Sequence, residues 1–137
     1  MPIRSFRQKK HSIEELGNIL KELHYYVDVI IVEGMRDESS LMSFGCTTKI
    51  EILGQKGIND FDLTDKISNK NRRILILTDF DEEGLRLNRQ FSYLFERKGV
   101  KIEIGLRRKI SHLMSKIGVY TIEALDNIKN EINEQIR

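Results

Sequence analysis

The sequence has little of what staples or anchors a chain. It holds one cysteine, Cys46, among 137 residues. That excludes an intrachain disulfide and any zinc site built from several cysteines. Lying beside an expected helix end, Cys46 should be a small buried apolar residue; exposed, it could bridge to a second chain. No apolar run approaches the length of a membrane span, so no membrane association is expected. The first residues carry charge but no apolar stretch of the kind a secretory signal needs. A cytoplasmic protein is the simplest reading. Net charge is also small, at +2, so the total says little about partners. No internal repeat, low-complexity tract or interdomain linker interrupts the chain.

What is present is unevenly placed. Arg4, Arg7, Lys9, Lys10 and His11 give residues 1–11 a basic character, read as an extended arm. Arg107, Arg108, Lys109, His112 and Lys116 make a second basic cluster. Either could meet phosphate. Residues 12–137 read as one domain with a core over 27–104. Ser12, with Glu15 three positions on, predicts a helix start, and apolar residues from Ile13 to Leu23 continue it to about His24. Apolar β-branched runs predict strands at 27–32, 49–53, 73–78 and 100–104. Helical spacing fills the intervals: from Asp37 to Gly45, from Asp60 to Ile67, and from Leu85 to Gly99. Two more helices are expected at 110–118 and from a Thr121 cap onward. The last carries Ile122, Leu125, Ile128, Ile132 and Ile136 on one face, which is core if covered and a homodimer surface if not. Alternating strands and helices predict an α/β fold, a four-stranded parallel sheet flanked by helices, with extra helices at both ends.

The acids fall where such a sheet concentrates chemistry. The buried run from Ile74 ends in Asp79, Asp81, Glu82, Glu83 and Gly84. The run from Val27 ends in Glu33 and Gly34, with Asp37 and Glu38 soon after. In a parallel sheet all strands end on one edge, where ligands bind. If the two strands are neighbours, Glu33, Asp79 and Asp81 converge there. Oxygen ligands of this kind select Mg²⁺ or Mn²⁺. Such an ion stabilises charge in phosphoryl transfer. Each element alone has a plainer reading. Glu-Gly after a strand is often only a turn, Asp-x-Asp before a helix often caps it, and Asp37, Glu38, Glu82 and Glu83 suit a helix first turn. His24 and His112 have no partner at ligand spacing and are expected in surface or core roles.

Two motifs carry a family resemblance. Val32-Glu33-Gly34-Met35-Arg36-Asp37 resembles the first motif of the Toprim domain. Thr78-Asp79-Phe80-Asp81-Glu82-Glu83-Gly84 resembles its second, in the right order and on the right strands. The likeness covers about Val27 to Ile104. It is strongest to small stand-alone members and to the domains of bacterial-type primases and a ribosomal RNA maturation nuclease. The resemblance implies a Rossmann-like Toprim fold. It implies a Mg²⁺-dependent protein acting on DNA or RNA, by phosphodiester cleavage or by nucleotidyl or phosphoryl transfer. Glu33 would be the general acid/base and also touch the metal, and Asp79 and Asp81 would hold it. Asp37 and Glu83 match secondary acidic positions, and Gly34 and Gly84 the glycines that let backbone pass close. Many nuclease-type members carry Lys where Met35 stands, a role Arg36 would partly fill. The topoisomerase members' tyrosine domain has no counterpart in the sequence, so topoisomerase activity is not expected. Arg36, Arg107, Arg108 and Lys109 are the candidate nucleic-acid contacts. A non-catalytic module that binds nucleic acid or a protein partner is the first alternative. A haloacid dehalogenase-type phosphohydrolase and a receiver domain fit less well, since Gly-Thr does not follow the Asp pair and no strand-end lysine is in place.

Overall fold

The computed structural model describes residues 6–136, with side chains through 134. Arg4 and the Ile136 side chain therefore lie outside the described residues. The chain opens on α1 (Phe6–Glu22), followed by a 3-10 turn over Leu23–Tyr25. The expected extended arm is, from Phe6 on, part of this helix. No Gly or Pro interrupts residues 6–16, so nothing local stops the helix where Ser12 suggested a cap. Ser12 is buried mid-helix beside Ile13 and Leu16, where its small size lets the helix pack closely.

Then follow β1 (Val29–Val32), α2 (Met35–Ser43), β2 (Lys49–Ile52), α3 (Asp60–Ser68) and β3 (Arg73–Ile76). After them come α4 (Glu82–Glu96), β4 (Lys101–Ile102), α5 (Ile104–Ile117) and α6 (Ala124–Ile136). The expected alternation is present, with most element ends displaced by one to three residues. The larger departures are the starts of α1 and α5, each six residues early. β4 is two residues long, because Ile104 leaves the sheet and begins α5.

All strands are parallel, in the order β2-β1-β3-β4. The fold is α/β and Rossmann-like. Alternate residues of the central strands serve two cores, as the two-residue repeat of a strand requires. Ile30, Val32, Leu75 and Leu77 pack with Leu16 and Leu20 of α1, Leu41 of α2, and Leu113, Met114 and Leu125 from α5 and α6. Val29, Ile31, Ile74 and Ile76 pack with Leu63 and Ile67 of α3 and Phe91 and Phe95 of α4. The apolar face of α6 is therefore covered by its own chain: Ile122, Leu125 and Ile132 are buried and Ile128 packs against them. Among the described residues, this face is core rather than an open surface.

The placement of helices locates the switch point. From β1 the chain moves outward to β2, with α2 on one face. From β3 it moves the opposite way to β4, with α4 on the other face. Right-handed crossovers demand this change of face when direction reverses. The carboxyl ends of β1 and β3 therefore lie side by side where the chain reverses direction, the position at which such sheets bind ligands.

Candidate acidic site at the switch point

Glu33 follows β1 and Asp79 follows β3, so strand pairing brings together residues 46 positions apart. Glu33 Oε2 accepts the Asp79 backbone N–H at 2.7 Å. Asp79 Oδ1 in turn accepts the Ile122 N–H at 2.9 Å. Asp37, nearly buried in the first turn of α2, accepts the Gly34 N–H at 3.1 Å. Asp81 is exposed and caps α4, accepting the Gly84 N–H at 2.8 Å. The capping role expected for one acid of the pair is thus filled by Asp81, not by Asp79.

Electrostatics couples these groups through burial and repulsion. Burial holds the Asp79 carboxyl up at about 7, from an ordinary 3.8. The Ile122 hydrogen bond opposes this, while the charges of Glu33, Asp37 and Asp81 reinforce it. Asp37 is also raised, by burial first and by Glu33 and Glu123 in addition, against the Gly34 hydrogen bond. The edge therefore gathers more negative charge than it can comfortably hold. Among the described residues no three His, Cys, Asp or Glu side chains form a ready-made metal cage. Glu33, Asp79 and Asp81 each give one oxygen to a backbone N–H and keep a second. That donor set suits a cation that retains waters and takes only one or two protein carboxylates, the habit of Mg²⁺.

Two secondary positions part company. Asp37 belongs to the cluster, whereas Glu83 is fully exposed and holds Arg86, with contacts of 2.6 and 2.9 Å. The two glycines differ as well. A Cβ on Gly84 would lie 2.0 Å from the Asp79 carbonyl oxygen, so only glycine lets α4 start this close to the acid turn. At Gly34 the same test meets nothing within 4 Å, and its backbone is extended. The expected close approach occurs at Gly84 alone.

The basic residues are the main correction. Arg107 was expected to reach nucleic acid; it is 8% exposed and turned inward. Its Nη1 donates to the carbonyls of Ile76 (3.0 Å) and Thr78 (2.8 Å), and Nη2 to Asp79 (3.4 Å). The guanidinium also lies over the Phe80 ring, 4.4 Å from its centre. Because β4 stops at Ile102, the outer carbonyls of β3 lack a strand partner, and Arg107 supplies the donors. Burial lowers its pKa to about 10, with Asp79 and Glu33 pulling the other way, so it stays charged. Lys109 is exposed but reaches back to Glu15 of α1 at 3.6 Å. Arg36 stands on α2 at the acidic edge, paired with Glu123 at 3.3 Å. Arg108 is exposed. His24 and His112 are exposed and Cys46 is buried.

The segment between α5 and α6 is a component that sequence reasoning missed. The Tyr120 carbonyl accepts the Phe80 N–H at 2.7 Å, and the next contact is that of Ile122 with Asp79. This strap fixes the acid turn from the far side.

The chain is 34% identical over 103 residues to a UPF0292 protein of Pyrococcus furiosus, covering 75% of this chain and 76% of that one. It belongs to the UPF0292 family. A second UPF0292 protein, from Methanosarcina barkeri, is 32% identical over 120 residues, 88% of this chain and 82% of its own. Among solved structures, a protein from Aquifex aeolicus superposes with a TM-score of 0.60 and 25% identity, over 83% of this chain and 94% of that one. No family profile matches the chain.

Proposed function

We propose that this chain is a Toprim-like protein that binds Mg²⁺ or Mn²⁺ at the acidic edge and acts on nucleic acid, by phosphodiester cleavage or by nucleotidyl transfer. One observation carries the reading. Acids from two separate strand ends meet at the switch point, Glu33 Oε2 accepting the Asp79 N–H, and burial reinforced by the neighbouring carboxylates pushes the Asp79 carboxyl up to about 7. A cation relieves the repulsion among these carboxylates, and a phosphate oxygen can complete its shell. Asp79 and Asp81 would hold the ion, with Glu33 beside them. When bound, it supplies charge stabilisation for a phosphorane-like transition state and lowers the pKa of water.

The chain's own residues prepare that chemistry. Glu33, held by the Asp79 N–H, lies at the same edge and keeps one oxygen to accept or return a proton. Arg107 and the strap keep the Asp79 turn from collapsing. Arg36, by exchanging Glu123 for phosphate, and the exposed Arg108 would contact a phosphate backbone.

A non-catalytic metal- or partner-binding module is the second reading. It is favoured by the absence of a preformed cage among the described residues and by the inward turn of Arg107. Labelled RNA, single-stranded DNA and duplex DNA incubated with the protein in Mn²⁺ separate the two. Cleavage or extension of at least one substrate, lost in Glu33→Gln, is expected. Turnover that survives Glu33→Gln removes Glu33 from its role, and no turnover on any substrate supports the module.

A further inference from the structure

A cavity of about 360 Å³ opens between α4 and the beginning of α5, a size that suits a small ligand. Its origin is the shortness of β4. Past Ile102 no strand covers the outer side of β3, so the partly exposed Ile102 and the exposed Ile104 form an apolar floor and Arg107 a fixed back wall. The walls add polar groups suited to a sugar and base: Ser92 and Glu96 on α4 and Glu103 before α5. Glu103 is held by Lys101 at 3.7 Å. Tyr93 stands at the mouth, 59% exposed, its hydroxyl accepting from Arg97 at 2.7 Å.

Arg89 connects this cavity to the acids. It is exposed and enters no ion pair among the described residues. It lines the cavity, and it also lines the shallow surface formed by Asp81, Glu82, Glu83 and Arg86 at the start of the same helix. A ligand with a planar apolar part, hydroxyls and a phosphate matches the sequence of floor, acids and cation. We infer that the cavity is a nucleotide subsite, with the base over Ile102 and Ile104, the sugar hydroxyls toward Glu96, and the phosphate on Arg89, pointing toward Asp81. The inference rests on the nucleic-acid reading above and adds to it where one nucleotide sits.

The test is a titration of the ¹⁵N-labelled intact chain in EDTA with AMP, GMP, CMP and UMP, and with adenosine. At least one nucleotide should shift the amides of Ser92 and Ile102. Arg89→Ala should weaken AMP roughly tenfold, as loss of a charge-assisted contact does, and leave adenosine unchanged. Ser92→Trp, or the milder Ser92→Leu, fills the cavity and should abolish both. No perturbation by any of the four nucleotides, or equal affinity in a folded Ser92 variant, overturns the subsite. Failure of the metal reading shows elsewhere, as an unchanged response to Mg²⁺ in the Asp79→Ala/Asp81→Ala variant.

Discussion

Asp79 is under opposing demands. It accepts a backbone N–H that favours the anion, yet burial and three neighbouring carboxylates favour the acid. The sign of the pH effect follows. Between 3.8 and about 7 the folded chain holds a proton that the unfolded chain has released. Stability from this group is therefore present at low pH and lost as pH rises through that window. Asp79→Asn removes the loss while keeping the oxygen that meets Ile122. A fully buried carboxyl shifted this far would cost about 4 kcal/mol, and partial exposure reduces that to roughly 1–2 kcal/mol. Without divalent ions, Asp79→Asn should raise the Tm more at pH 8 than at pH 5, by thermal melts in EDTA. A gain that is equal at both values contradicts the assigned cause. Gly84 is constrained in another way. Gly84→Ala places a methyl into the Asp79 carbonyl, so it should cost on the order of 2–3 kcal/mol in denaturant unfolding, whereas Gly34→Ala, facing open space, should cost well under 1 kcal/mol.

At the scale of elements, the site is held by pieces that local patterns describe unequally. The strands and their acidic ends were legible, because Val29–Val32 and the run over residues 74–77 are continuously apolar and acids follow each of them. The start of α1 was not. Ser12 and Glu15 carry a capping signal, but tertiary burial of Ser12 overrides it. Arg107 was misread for a related reason. Its inward turn depends on β4 ending at Ile102, and the alternating Val100, Ile102 and Ile104 suggested a longer strand. The strap was invisible locally, since Ile122 meets Asp79 across 43 positions. That contact makes a prediction of its own. Asp79→Ala leaves the Ile122 amide without its acceptor, so this amide should exchange with solvent at least tenfold faster, while the amides of β1 stay protected. Hydrogen exchange followed by NMR reads both at once, and unchanged exchange at Ile122 would mean that the strap is held by packing alone.

For the whole molecule, the sheet divides labour between its ends and its faces. Two apolar cores fix β1 and β3 side by side, and the reversal of chain direction between them puts their carboxyl ends at the switch point. The fold thus presents Glu33, Asp37, Asp79 and Asp81 together without any local sequence pattern having to do so. A scaffold that concentrates carboxylates without forming a full cage among the described residues is suited to a cation shared with a ligand. The central claim is that the acidic edge binds such a cation. Isothermal titration of Mg²⁺ and of Mn²⁺ into the natural chain and into Asp79→Ala/Asp81→Ala tests it most directly. The account predicts one saturable site in the natural chain that is lost in the variant; equal binding by the two, or no binding by either, would contradict it.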